Sequence, residues 1–251
     1  MKPQLFILTG ASRGMGLAMA RQLLAQGHTV LCISRTTHYS LDVHARQTSA
    51  TVLQWSHDLA DSVPLAARLE SWLQAAGSSA WTRLTLINNA GVLPRTVPLS
   101  QADAADLAHA LRVDLEAPLL LSAAFLRATE GWTAPRKVLN ISSGVGRRPM
   151  ASQAAYCAAK AGMDHFTRCL ALEEAHKPHG AKVCSLAPGV IDTGMQLHLR
   201  SAEAADFPDR ADFVRLKNEA LLTSPEDAAQ RVLDYLARPD FGAQPVADVR
   251  V

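Results

Sequence analysis

Short apolar runs alternate with helix-patterned stretches along most of this chain, and that alternation constrains its fold more than any other feature. Leu5 to Thr9 is an apolar run that stops at Gly10, and from Gly14 the residues Met15, Leu17, Ala18, Ala20, Leu23 and Leu24 recur at helical spacing as far as Gly27. That is a strand, a glycine-rich turn and a helix. Strand signals return at Thr29 to Ser34, Thr51 to Trp55, Leu84 to Asn88, Val138 to Ser142 and Lys182 to Ala187, mostly with helical stretches between them. A helix near Pro225 to Ala237 then precedes a last strand near Val246 to Val249. A crossover long enough to hold a helix lets the next strand start at the same end as the last, so the strands pair in parallel. The expected fold is α/β: a doubly wound parallel sheet with helices on both faces, in a single domain spanning residues 1–251. Such a sheet binds its ligands at the carboxyl ends of its strands. From Thr193 to Thr223 the strand signal gives way to polar, mixed text, read as a mobile lid over a substrate.

Composition narrows the function classes. With 48% hydrophobic and 19% charged residues the chain can bury a large core, which excludes a disordered protein. The net charge is only +2 and the arginines are scattered, so the electrostatic footprint of a nucleic-acid binder is missing. Cys32, Cys157, Cys169 and Cys184 stand singly, without the spacing of a zinc site or a disulfide framework, which fits a reducing cytoplasm. His176 and His179 near a helix end have no third ligand in view, so no metal is expected. Met1 leads straight into an apolar strand, and no apolar run approaches the roughly 18 residues of a membrane span. A soluble, cytoplasmic protein without a membrane partner is expected.

Residues Thr9 to Gly16 read TGASRGMG, with Ser12, Arg13 and Met15 among glycines at positions 10, 14 and 16. Glycine is needed where the backbone takes positive φ and where a Cβ would block a pyrophosphate. The helix that follows offers free N–H groups and a favourable dipole to phosphates. An NAD-binding chain carries an acid about 20 residues beyond the glycines to hold the ribose hydroxyls. Here the second strand ends Ser34, Arg35, Thr36, Thr37 instead. Arg13 and Arg35 can converge on a 2′-phosphate, which favours NADPH; a solvated loop arginine is the other reading of Arg35.

Tyr156 and Lys160 stand four residues apart in a helical stretch and so share one face, and Ser143, at the end of the fifth strand, precedes Tyr156 by thirteen residues. Together with TGASRGMG, Asp58 and Leu59, the NNAG at Asn88 to Gly91 and the APGVIDT at Ala187 to Thr193, this set closely resembles the short-chain dehydrogenase/reductase family. The resemblance runs from residue 5 to about 195 in the family's order and implies a Rossmann-like sheet. Hydride addition to a carbonyl leaves negative charge on oxygen, which needs a hydrogen bond and then a proton. Tyr156 is the expected proton donor, Lys160 lowers its pKa and grips the nicotinamide ribose, and Ser143 positions the substrate oxygen. The resemblance further implies that Asp58 and Leu59 face the adenine, that Asn89, Ala90 and Gly91 line the ribose side, and that Pro188, Gly189, Ile191 and Thr193 hold the nicotinamide half.

One position departs from the family pattern. Relatives carry an asparagine in the fourth crossover helix that fixes a water in the proton relay, and in LRVDLEAPLLL the matching residue is Asp114. It is read either as a partly protonated group beside the cleft or as a plain helix-face carboxylate. The segment PGVIDTGMQ resembles the branch holding sepiapterin reductase and bacterial benzil reductase, which implies a small dicarbonyl or pterin-like substrate. Asp248 falls roughly where the pterin enzymes use an acid, though the local spacing is shifted. Two other functions stay open: a 3-oxoacyl thioester reductase, for which Arg147 and Arg148 would offer basic surface, and a non-enzymatic NADPH sensor. The small residues Ala155, Ala158, Ala159 and Gly162 suggest helix-to-helix pairing into a homodimer, with a homotetramer as the next choice.

Overall fold

The computed structural model describes residues 4–250. On the amino-terminal side it runs β1 (Leu5–Thr9), α1 (Gly14–Ala25), β2 (Thr29–Ser34), α2 (Tyr39–Arg46), β3 (Thr51–Ser56), α3 (Ser62–Ala76) and β4 (Leu84–Asn88). It continues with α4 (Ala104–Leu111), α5 (Ala117–Ala128), β5 (Arg136–Ile141), α6 (Ala154–Ala175) and β6 (Lys182–Ala187), then α7 (Gly194–Arg200), α8 (Arg210–Asn218), α9 (Pro225–Ala237) and β7 (Val246–Asp248). The strands form one parallel sheet in the order β3-β2-β1-β4-β5-β6-β7. The order reverses direction between β1 and β4, and there the loops diverge to open a crevice at the strands' carboxyl ends.

Strands buried on both faces need apolar side chains on both, which is why β1 and β4 read as unbroken apolar runs and are buried throughout. One face packs Met19, Leu23 and Leu24 of α1 against Val232 and Leu236 of α9; the other packs Leu65, Leu69 and Leu73 of α3 against Leu121 and Phe125 of α5. The single-domain, doubly wound arrangement therefore follows from the alternation in the sequence.

Several details differ from the sequence reading. β5 starts two residues early, because Arg136 and Lys137 open it despite their charge: the Arg136 guanidinium is buried and donates to the Thr129 carbonyl at 3.0 Å, and Lys137 Nζ donates to the Leu236 carbonyl. The same strand ends at Ile141, so Ser143 lies just past it, and β7 stops at Asp248. The polar stretch after Thr193 conceals two helices, α7 and α8, nucleated by fully buried Phe207 with Leu199 and Met150. Its ends are tied together by a parallel bridge between Ile191 and Thr223. Finally, most of the small-residue stripe of α6 faces inward. Ala155 and Ala159 are buried, and a Cβ on Gly162 would stand 3.1 Å from the Leu115 side chain of the same chain, leaving Ala158 exposed.

Candidate active site

The turn between β1 and α1 is built by close approach. Gly10 and Gly14 hold φ of +73° and +54°, where a side chain is strained. A Cβ on Gly16 would fall 2.1 Å from the Gly10 carbonyl oxygen, and one on Gly10 would meet Ala90 Cα at 2.8 Å. These two glycines are thus demanded by the turn's packing on itself and on the loop after β4. Gly14 differs: its open side meets only a Thr193 methyl group, at 3.6 Å. Thr9 Oγ1 accepts the backbone N–H groups of Asn89 and Ala90 at 2.9 and 3.0 Å, locking the two loops together.

Helix α1 has no side-chain cap at Arg13 and no acid in its first turn. Its leading N–H groups therefore have no side-chain partner within the turn, as an anion site requires. They open on a cavity of about 1170 Å³ at the carboxyl ends of the strands. Every residue expected from the sequence to bind cofactor lines that cavity: Gly10, Ser12, Arg13, Gly14, Met15, Gly16 and Arg35 from the first two loops, Asp58, Leu59, Asn89, Ala90 and Gly91 from the next two, and Pro188, Gly189, Ile191 and Thr193 after β6. Arg13 and Arg35 are exposed and have no ion-pair partner among the described residues. An uncapped helix start and an unobstructed Gly14 fit the diphosphate of a nicotinamide dinucleotide, and two unpaired guanidinium groups stand beside them.

Ser143, Tyr156 and Lys160 line the same cavity. Ser143 keeps extended backbone beyond β5 and caps a 3-10 turn over Gly144–Gly146, accepting the Val145 N–H at 3.4 Å. Tyr156 lies buried in the first turn of α6, close enough to Ser143 for that hydroxyl to act on its phenol. Lys160, one turn on, is buried; its Nζ donates to the Ile141 carbonyl at 3.0 Å and sits 5.5 Å from the Tyr156 ring centre.

Asp114 is fully buried in a five-residue π turn, Arg112–Glu116, between α4 and α5. Pro118 accounts for that turn, since it has no N–H for the Asp114 carbonyl four residues back, and the ladder widens so that Ala117 bonds Arg112 across five. Asp114 Oδ1 accepts the Val92 N–H at 2.9 Å, while Oδ2 has no protein partner. Asp114 does not line the cavity directly; it sits behind Gly91, where a Cβ would stand 3.1 Å from its Oδ1 and 3.8 Å from Lys160 Nζ.

Burial pushes the Tyr156 phenol above its ordinary value and the Asp114 charge adds to that, while Ser143 opposes it. Burial likewise lowers the Lys160 pKa, against the pull of Asp114 and Asp164. Asp114 is raised to about 6, chiefly by burial, with Lys160 and the Val92 N–H holding it down. It is therefore no helix-face carboxylate.

The family described as short chain dehydrogenase matches residues 4–204. The chain belongs to that family. Among relatives of this short-chain dehydrogenase, the benzil reductase ((S)-benzoin forming) of Bacillus cereus is 35% identical over 235 residues, covering 94% of both chains. The sepiapterin reductase of Meriones unguiculatus is 32% identical over 245 residues, covering 94% of this chain and 92% of its own. A solved metagenomic short-chain oxidoreductase in complex with NADP superposes with a TM-score of 0.70 at 28% identity, over 93% of this chain and 90% of that one. As a short-chain dehydrogenase the chain is an oxidoreductase, and no described helix is long and apolar enough to cross a membrane. Groups without a sequence signature complete the site: the Val92 N–H, the Ile141 carbonyl, and the apolar wall of Met150, Leu199 and Phe213.

Proposed function

We propose that this short-chain dehydrogenase uses NADPH to reduce a ketone or aldehyde carbonyl of a small molecule, most plainly a dicarbonyl of the benzil kind, to an alcohol. The observation that carries the reading is the meeting of Ser143, Tyr156 and Lys160 on the cavity into which the uncapped α1 terminus opens. Both curated relatives cited above are named as reductases. When bound, NADPH supplies the hydride. The chain's own groups then manage the oxygen. As the carbonyl carbon gains its C–H bond, the C=O electron pair moves onto oxygen, where the Ser143 hydroxyl donates a hydrogen bond. Tyr156 passes its phenolic proton to that oxygen, completing the alcohol, and Lys160 stabilises the phenolate left behind. A proton from solvent restores Tyr156, and the lid over the substrate is α7 with α8.

Arg148 stands 3.6 Å from Asp209, and both it and Arg147 line the cavity. The assembly proposed is a symmetric pair of chains, resting on the exposed Leu111 and Leu119 of α4 and α5 in place of the α6 stripe.

Cofactor choice tests the reading with a readout besides activity. Each charge-assisted pair with the 2′-phosphate contributes about 1.5–3 kcal/mol, so NADPH should bind more than about tenfold tighter than NADH. Arg35→Asp should shrink or reverse that ratio in a fluorescence titration. Equal binding of the two cofactors by wild type would contradict the assignment.

A further inference from the structure

Beyond Ser143 the cavity wall carries a charge cluster that the reduction step does not use. Asp248, Arg147 and Arg250 all line it. Asp248 Oδ1 accepts Arg250 Nε at 2.8 Å and the Arg250 backbone N–H at 3.0 Å, and Oδ2 accepts Arg250 Nη2 at 2.7 Å. Arg250 therefore occupies both carboxylate oxygens and holds the Asp248 pKa below its ordinary value. Arg147 Nη2 lies 3.9 Å from the same carboxylate, and Nη1 of the same guanidinium makes a long hydrogen bond, 3.4 Å, to the Ala247 carbonyl. Two guanidinium groups thus share one carboxylate, and among the described residues the cluster is net positive. Neighbouring charges on the wall cancel, with Arg148 against Asp209 at 3.6 Å and Asp192 against Lys217 at 2.6 Å.

The cluster is close to the reacting groups. Arg147 ends the 3-10 turn that Ser143 begins, so at a rise near 2 Å per residue their backbones lie roughly 8 Å apart. The Arg250 side chain passes 3.8 Å from where a Gly189 Cβ would stand, on the turn after β6. Apolar Val145, Met150, Leu199 and Phe213 line the same cavity. A slot with apolar walls, a proton donor and an under-neutralised guanidinium selects a molecule that is apolar in the middle and negative at one end.

We propose that the natural substrate carries an oxyanion, a carboxylate or a phosphate, held by Arg147 and Arg250 several bonds from the carbonyl that is reduced. This rests on the reductase reading and names its substrate class. It also weakens the expected pterin contact, because both Asp248 oxygens already accept from Arg250.

The test compares benzil with its 4-carboxy derivative. Calorimetric titration of protein saturated with NADP⁺, where no reduction can follow, should show the carboxylated compound binding about tenfold tighter or more. That preference should fall several-fold in Arg147→Gln and in Arg250→Gln, and in 0.5 M salt relative to low salt, as expected for about one Debye-screened contact. Melting curves of both variants check that each is folded. Equal binding of the two compounds, binding of neither, or a preference that survives both substitutions overturns the proposal and makes the cluster only a clasp on β7. NADPH consumption separates the two readings. Equal kcat/KM on both diketones keeps the reductase and removes the anion subsite; Arg147-dependent binding without turnover of either keeps the subsite and removes the reductase.

Discussion

A carboxylate shut away from water with one oxygen unpartnered holds its proton far more tightly than a surface aspartate, and Asp114 is in that position beside Lys160. With a pKa raised to about 6, it changes charge close to neutral pH. We propose that, through the neighbouring Lys160, it influences how quickly Tyr156 regains a proton. Asp114→Asn should therefore remove an inflection near pH 6 from the kcat profile while leaving the NADPH dissociation constant nearly unchanged. Stability should respond as well. The fold favours neutral Asp114, so its contribution is intact below the ordinary value of 3.8 and is lost as pH rises through about 6. The gap converts to about 3 kcal/mol at most. Urea midpoints should show the asparagine variant more stable by about 2 kcal/mol at pH 8, with the gain fading toward pH 4; a gain that is constant with pH would place the cause elsewhere. The sequence displayed an aspartate at an unusual position, but its burial and the Val92 N–H that holds it involve backbone, which leaves no mark in the residue letters.

Elements were legible where their packing is simple. β1 and β4 are buried on both faces and announce themselves as apolar runs, and α1 and α9 show one apolar side each. The start of β5 was hidden because Arg136 and Lys137 reach carbonyls on other elements, and such distant partners cannot be read locally. The helices α7 and α8 were hidden because a few apolar residues, Leu199, Phe207 and Phe213, carry their packing amid charged neighbours. The β1–α1 turn offers a test at this scale. Gly16→Ala would drive a methyl group to 2.1 Å from a backbone oxygen, whereas a Cβ on Gly144 would meet nothing within 4 Å. The first should cost about 2–3 kcal/mol or more and weaken cofactor binding by displacing the turn; the second should cost under about 1 kcal/mol. Thermal melting with NADPH titration distinguishes them, and similar losses from both would mean that the turn relaxes freely.

No single element holds the chemistry. Ser143 comes from the loop after β5, Tyr156 and Lys160 from α6, and Asp114 from a turn forced between α4 and α5, and they meet because the sheet order puts β4 and β5 side by side at the crevice. Motif letters in the right order could reveal the members of this set and its cavity. They could not reveal the charge balance, in which burial raises the Tyr156 pKa, since that depends on how much solvent the whole fold excludes. The most direct test is therefore to remove the phenol alone. The hydrogen bond and proton it supplies grow only as charge develops on the substrate oxygen, so Tyr156→Phe should lower kcat on benzil by about 100-fold or more while NADPH binds with nearly its wild-type dissociation constant. Near-normal turnover by that variant would mean that the proton comes from elsewhere and would contradict the account of this cavity as a carbonyl-reducing site.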